Sequence, residues 1–257
     1  MNVARYSMLG IHVDALEEHH LGEIVLEAVR ERKKIILANH NLHSIYLYHH
    51  DERLRSFYEK AEYVHIDGMP IVWIGKLFGY PLQRSHRLTN LDFLPHLFSV
   101  CEKEGLRVFL LGSKPGVAER AAEVYRTWNP RLILGMHHGY FDASKDSEEN
   151  RRIIDMINGF RPHLLLVGMG MPRQEVWLAE NIDSLQVNVA MNQGAFMDYI
   201  AGEVPTPPRW MGRVGLEWLY RLASEPKRLW RRYILEPPFV LKLLLKEWTD
   251  RRPALKK

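Results

Sequence analysis

Cysteine is nearly absent. Cys101 stands alone among 257 residues, so no intrachain disulfide can form, and this usage fits a reducing compartment. Long apolar runs are missing too. The best candidate, Phe239 to Leu245, is broken by Lys242 and preceded by Pro237 and Pro238. It falls far short of the ~20 residues a bilayer span needs, so any membrane contact is expected at the surface. No apolar h-region precedes Asp14, which argues against a secretory signal peptide. Several motifs are also lacking. There is no Asp-x-Asp to hold a divalent cation against a nucleotide diphosphate. There is no His-Glu-x-x-His, and one cysteine cannot build a thiolate site. Of the 13 histidines, His49-His50 and His137-His138 are adjacent pairs whose side chains are expected to diverge, and His40 and His43 could share a helix face. No metal or other cofactor is therefore expected. There is no Walker A sequence, and the third glycine of a dinucleotide fingerprint starting at Gly168 is replaced by Arg173.

What the chain does contain is ordinary in amount and uneven in placement. Hydrophobic residues make up 46% and charged residues 26%, the balance of a globular protein rather than a disordered one. The length suits one large domain or two small ones and needs no disulfide or metal staple. Net charge is +4, but Pro205 to Lys257 holds 13 Lys and Arg against 5 Asp and Glu, a net +8, leaving the first 204 residues at −4. Four of the seven tryptophans, Trp210, Trp218, Trp230 and Trp248, lie in that basic segment. An asymmetry of this kind points to an anionic partner, nucleic acid or membrane.

Along the first 204 residues, short continuous apolar runs alternate with helical patterns. Strands are expected at Lys34–Ala38, Tyr63–Ile66, Arg107–Leu111, Leu132–Met136, His163–Val167 and Val187–Met191. Helices are expected over Leu21–Arg32, Leu42–Lys60, Ile71–Phe78, Leu91–Glu104, from Pro115 to Trp128, over Glu148–Ile157, after Pro172, and up to Ile200. Strand–loop–helix repetition with continuous apolar strands predicts an α/β fold, a Rossmann-like parallel sheet covered by helices. The Pro205-Thr-Pro-Pro208 cluster marks a boundary between an α/β domain (1–204) and a helical appendage (205–257). That appendage is expected to hold helices over Trp210–Ala223, Pro226–Leu235 and Phe239–Trp248.

In open parallel sheets ligands bind at the carboxyl ends of the strands. Here those ends carry Asn39, Asp67-Gly68, Gly112-Ser113, Gly168-Met-Gly170 and Asn192-Gln193-Gly194. Two of them, Gly112-Ser-Lys-Pro-Gly116 and Gly168-Met-Gly-Met-Pro172, place small residues before a helix, where amides and the helix dipole attract an anion. Tight-turn geometry explains each loop equally well alone; together they favour a nucleotide or other diphosphate. Asp67 reads either as a general base for a hydroxyl nucleophile or as a helix N-cap.

Taken together, several segments resemble the WecG/TagA/CpsF glycosyltransferases (glycosyltransferase family 26). They are Ala38-Asn39, Asp67-Gly-Met-Pro-Ile-Val72, His86-Arg87, Gly168-Met-Gly-Met-Pro-Arg-Gln-Glu175 and Gly194-Ala-Phe-Met-Asp-Tyr-Ile-Ala-Gly202. Beyond these come Pro207-Pro-Arg-Trp210, Gly215-Leu-Glu-Trp-Leu-Tyr-Arg-Leu222 and Glu225-Pro-Lys-Arg228. The resemblance implies an inverting, metal-independent hexosyltransferase that moves a sugar from a UDP-sugar to a sugar on a polyprenyl (undecaprenyl) diphosphate, for bacterial cell-surface polysaccharides. It implies Asp67 as the base, Asn39 near a substrate sugar, and Arg87 near the donor diphosphate. Gln174 and Asp198 would lie in the nucleotide pocket, with Gly168 and Gly170 in the adjoining loop. The appendage would bring Arg221, Arg228 and Arg231 to the diphosphates and dock on an anionic membrane, at the cytoplasmic face of the inner membrane. An oligomer of the chain is left open.

The chain departs from that family's pattern at three places. Leu37 stands where many members have threonine, Gln193 replaces a small residue before Gly194, and His86-Arg-Leu-Thr-Asn90 replaces the usual Glu-Arg-Val-x-Gly. The resemblance therefore leaves the transferred sugar open among N-acetylmannosamine, glucose, a uronic acid and other hexoses. Two other function classes fit the bare composition. One is a nucleic-acid-binding protein with a basic aromatic tail, though no recognised module is present. The other is a nucleotide-dependent oxidoreductase, weakened by Arg173 at the third glycine position.

Overall fold

The computed structural model describes residues 3–213 and 215–251. Val214 and the basic Arg252, Lys256 and Lys257 lie outside the described residues. The chain opens with two short strands, β1 (Arg5–Met8) and β2 (Ile11–Asp14), paired antiparallel. Then follow α1 (Glu18–Arg30), β3 (Ile35–His40), α2 (Leu42–His50), α3 (Glu52–Glu59), β4 (Tyr63–Ile66), α4 (Met69–Leu77) and α5 (Asn90–Lys103). The body continues through β5 (Arg107–Gly112), α6 (Val117–Trp128), β6 (Ile133–His137), α7 (Glu148–Phe160), β7 (Leu164–Gly168), α8 (Arg173–Asn181), β8 (Val189–Asn192) and α9 (Phe196–Ile200). The C-terminal segment holds α10 (Arg209–Arg213), α11 (Glu217–Ser224), α12 (Pro226–Trp230) with a π turn over Arg231–Leu235, and α13 (Pro237–Arg251).

Six strands form one all-parallel sheet in the order β4-β3-β8-β7-β5-β6, as the continuous apolar runs predicted. Helices cover both faces because each presents an apolar stripe. In α1 the stripe is Leu21, Ile24, Val25 and Ala28, spaced for one face of a 3.6-residue period. With α5, α6 and α9 it buries one side of the sheet. The other side is closed by α3, α7 and α8, with Trp177 fully buried. A third apolar cluster joins β1 and β2 to α2, α4 and the last helix through Met8, Val13, Ile45, Val72 and Val240. The C-terminal segment is thus fastened to the body at α13. There Arg251 also donates to the Ser7 carbonyl and the Tyr80 hydroxyl, both at 2.9 Å.

Four sequence expectations need correction. The single helix over Leu42–Lys60 is two, because Asp51 takes an extended conformation (φ −131°) and its carboxylate accepts from the Arg53 amide to cap α3. The helix expected from Pro115 starts at Val117, with Gly116 at φ 81° as its cap. The helix over Trp210–Ala223 is broken at Gly215, whose φ of 72° no helix continues. Finally, the β1–β2 pair was not anticipated; its tight turn is made by Leu9 and Gly10 at φ 53° and 74°. Among the described residues no helix is long and apolar enough to cross a membrane.

Candidate active site at the carboxyl edge of the sheet

The carboxyl ends of β4, β3, β8 and β7 and the C-terminal helices enclose a cavity of about 390 Å³. Asn39, Asp67, Gly170, Gln174, Arg221, Arg228 and Arg231, all selected from sequence, line it. Arg87, Gly168 and Asp198 do not.

Asp67 sits at the floor, half-buried, one residue past β4. Its amide donates to the His40 carbonyl at 2.8 Å, which fixes the backbone. Gly68, at φ 122°, is the cap residue of α4, and that helix start carries no side-chain cap bond. Asp67 therefore does not act as the N-cap. Its carboxylate accepts from Asn41 Nδ2 at 3.3 Å. Asn41 is itself held, because its Oδ1 accepts from the Ser44 amide at 3.1 Å and caps α2.

Beneath the floor runs a buried chain of amides. The Tyr58 hydroxyl donates to the Asn39 carbonyl at 2.8 Å. Asn39 donates through its amide to Asn192 Oδ1 at 3.2 Å and through its side chain to the Asn192 carbonyl. Asn192 Nδ2 donates to Glu175 Oε1 at 2.8 Å, and Gln174 Nε2 donates to the same oxygen at 2.7 Å. Gln174 Oε1 then accepts from the amides of Gly170 (3.0 Å) and Gly194 (3.1 Å). One carboxamide so ties the β7 loop to the β8 loop. Burial raises the Glu175 carboxyl above its ordinary value, opposed by the bonds from Asn192 and Gln174.

The opposite wall is cationic and comes from the C-terminal segment. The Arg221 guanidinium lies 5.8 Å from the Tyr199 ring centre, and its buried Nε has no hydrogen-bond partner. Arg228 is exposed and paired with Glu225 at 2.8 Å; Arg231 is exposed and lies over Trp230. Arg232 also faces the cavity. Burial lowers its pKa from the usual arginine value, and Arg221 pushes the same way, while Tyr233, Asp67 and Glu236 oppose. Two neighbouring guanidiniums on partly buried residues form a site that an anion would stabilise. His43 Nδ1 and Glu236 Oε2, 2.7 Å apart, join α2 to the start of α13 at the rim.

The three residues outside the cavity have definite places. Arg87 is bound between Asp92 (2.9 Å) and Glu217 (2.8 Å). It lines a neighbouring groove of about 710 Å³ that shares Thr89, Leu91, Pro207 and Glu217 with the cavity. Asp198 accepts from the Ser113 hydroxyl at 2.9 Å, and burial raises its pKa against that bond. Gly168 accepts from the Ser113 amide at 3.2 Å; a Cβ on it would lie 2.5 Å from the Gly194 carbonyl oxygen, so close packing requires glycine there. Ser113, Gly168 and Asp198 thus group over β5 and β7, beside the cavity. Sequence reasoning missed Asn41, His43, Arg232 and Glu236 as lining residues. Asn41 directly follows β3 and could have been found by the strand-end rule, which did pick out Asn192. Among the described residues one trio has metal-ligand spacing, His19, His20 and Glu23 on α1, and none of its members lines the cavity.

A model of the Glycosyl transferase WecG/TagA/CpsF family matches residues 6–253. Similar curated proteins are the N-acetylglucosaminyldiphosphoundecaprenol N-acetyl-beta-D-mannosaminyltransferases of Staphylococcus aureus strains MW2 and NCTC 8325 / PS 47. Each is 25% identical over 240 residues, covering 90% of this chain and 89% of the relative.

Proposed function

From the premise that this chain belongs to the glycosyl transferase WecG/TagA/CpsF family, and is a glycosyltransferase of the hexosyl-transferring kind, we propose that it moves a hexose or N-acetylhexosamine from a UDP-sugar to a sugar carried on a polyprenyl diphosphate. The transfer inverts the anomeric centre, needs no metal, and serves bacterial cell-surface polysaccharide synthesis. One observation carries this reading: a carboxylate and a cluster of arginines face each other across one cavity.

The chemistry follows from that opposition. Asp67 takes the proton of the acceptor hydroxyl as its oxygen attacks the anomeric carbon. The bond from that carbon to the UDP oxygen breaks on the opposite face, and the electron pair leaves with UDP. Arg221 and Arg232 receive the developing diphosphate charge from a partly dry wall, with Arg228 and Arg231 at the rim. No cation is needed where guanidiniums already neutralise the leaving group. The nucleotide lies toward Ser113, Gly168 and Asp198, over β5 and β7. Trp210, Trp218, Trp230, Ile234, Leu235, Leu241 and Leu245 are all more than a third exposed on the basic segment. Apolar side chains among Lys and Arg suit an anionic membrane surface, here the cytoplasmic face that presents the lipid acceptor. The nucleic-acid and oxidoreductase readings have no counterpart in the family match.

The test is Asp67→Asn. Transfer should fall at least 1,000-fold, within the range general-base removal produces, while UDP affinity stays within about threefold; near-normal turnover would remove Asp67 from the mechanism. Full activity in excess EDTA is expected, and restoration by Mg²⁺ after EDTA loss would overturn metal independence.

A further inference from the structure

We propose that Gln193 is a specificity-determining contact for the transferred sugar, its carboxamide hydrogen-bonding a hydroxyl or acetamido substituent of the hexose ring. The inference rests on the reading of the site given above.

Five carboxamide side chains line the cavity. Those of Asn39, Asn41, Asn90 and Gln174 are engaged within the protein. That of Gln193 is not: the residue is 2% exposed, it borders the cavity, and both Oε1 and Nε2 are buried without a hydrogen-bond partner. Its main chain is fully used, the amide donating to Val167 O at 2.7 Å and the carbonyl accepting from Asn90 Nδ2. A buried amide left unpaired is costly, so such a group calls for a ligand that completes it.

The sheet order says which part of a nucleotide sugar would lie there. Asp67 follows β4, Asn39 lies on β3, Gln193 follows β8, and Gly168 ends β7. Gln193 continues the register that places Asn192 beside Val167 and Met191 beside Leu37, so it comes level with Gly168 on one side and Asn39 on the other. Strands are ~4.8 Å apart, so about 14 Å separates the Asp67 edge from the Gly168 edge. With the base acting at β4 and the nucleotide over β7 and β5, the hexose bridges the interval above β3 and β8. A carboxamide offers one acceptor and two donors, matching a hydroxyl or an acetamido group, either of which both donates and accepts.

A site built to hydrogen-bond a substrate group rejects analogues lacking it far more strongly than an apolar pocket rejects an extra methylene. The experiment compares wild type, Gln193→Leu and Gln193→Glu over a panel of UDP-hexoses, UDP-N-acetylhexosamines and singly deoxygenated analogues, reading kcat/KM, UDP affinity and Tm. For Gln193→Leu we expect at least a 100-fold loss with the best wild-type donor. The gap between that donor and its deoxy analogue should shrink at least tenfold, with UDP affinity within twofold and Tm unchanged or higher. Gln193→Glu, which keeps one acceptor, should lose less and is read alone if Gln193→Leu does not fold. An unchanged donor ranking in the variants overturns the inference and leaves the function standing. So does a uniform loss with all donors accompanied by lower Tm and weaker UDP binding. A wild type that binds no UDP-sugar overturns the functional reading and this inference together.

Discussion

The α/β body and the C-terminal segment build opposite walls of one cavity by opposite means. The body places its groups through a hydrogen-bonded sheet and a buried amide chain; five residues of α5 alone are buried. The C-terminal helices place theirs with little core: α11 buries none of its side chains, α12 only Leu229, and α13 only Val240. Their charge differs in the same direction, −4 against +8. Position is therefore specified by the body and charge by the tail. Opening of the tail should cost far less free energy than opening of the sheet, because local stability follows buried contact. On the proposed mechanism, a site divided this way keeps the carboxylate rigid while its cationic wall adapts to the substrate's diphosphate.

Breaking each half should give different signatures. The largest effect is expected in the body. Asn192→Leu takes the side-chain acceptor from the buried Asn39 main-chain amide and one of two donors from Glu175 Oε1, which keeps Gln174. A loss of about 2 to 4 kcal/mol in denaturant unfolding is expected from one unsatisfied buried amide and one lost hydrogen bond, with activity lost alongside. A change below about 1 kcal/mol would show that the amide chain does not fix the floor. Next comes Arg232→Ala in the tail. If the guanidinium stabilises the leaving diphosphate as proposed, its loss should lower kcat by roughly 100- to 1,000-fold, the range seen when a preorganised charge-stabilising donor is removed, while Tm moves little. Activity and stability falling in proportion would erase the distinction between the two regions.

The body was more legible in the sequence than the tail, and the reason is physical. Apart from β6, which runs into His137-His138, the sheet strands are apolar runs ending at or beside Asn, Asp or Gly, so periodicity and turn chemistry agree, and the strand-end rule led directly to Asn39, Asp67 and Gly170. The β1–β2 pair escaped because Leu9 occupies a positive-φ turn position that sequence rules reserve for Asn, Asp or Gly. The amide chain escaped because each member was visible but their pairing depends on strand order. In the tail, the sequence divides Arg221 from Arg228 and Arg231 between two expected helices, so their convergence on one cavity could not be read from spacing. Pro226 restarts the helix and the π turn over Arg231–Leu235 shifts its phase, which brings Arg232 into the cavity as well. Arg87 carried the right charge, but its place between Asp92 and Glu217 is a tertiary fact.

Acid should strain the body first. His65 is buried on β4, edge-on to Phe93, and burial pushes its pKa down to about 4. The unfolded histidine titrates near 6.5. Between these values the unfolded chain binds the proton and the folded chain does not, so this contribution to stability is intact above pH 6.5 and declines as pH falls toward 4. The whole interval is worth roughly 3 kcal/mol. His65→Gln should flatten that part of the stability profile, measured by denaturant titration at pH 7, 5.5 and 4.5; a parallel profile would assign the acid sensitivity elsewhere.

The smallest effect is expected at Arg228, and it sharpens the contrast within the tail. Its guanidinium is more than half exposed and already paired with Glu225, so water and salt screen it and an exposed pair of this kind contributes less than about 1 kcal/mol. Arg228→Ala should therefore raise KM for the lipid acceptor no more than about fivefold, leave kcat within twofold, and leave Tm unchanged. Arg221, over the Tyr199 ring with a buried unpartnered Nε, should behave like Arg232 and lower kcat instead. Steady-state kinetics of the two alanine variants on one acceptor would decide it: equal losses in kcat would mean that burial does not sort the tail's arginines into rim and wall, and that Glu225 releases Arg228 to the diphosphate during turnover.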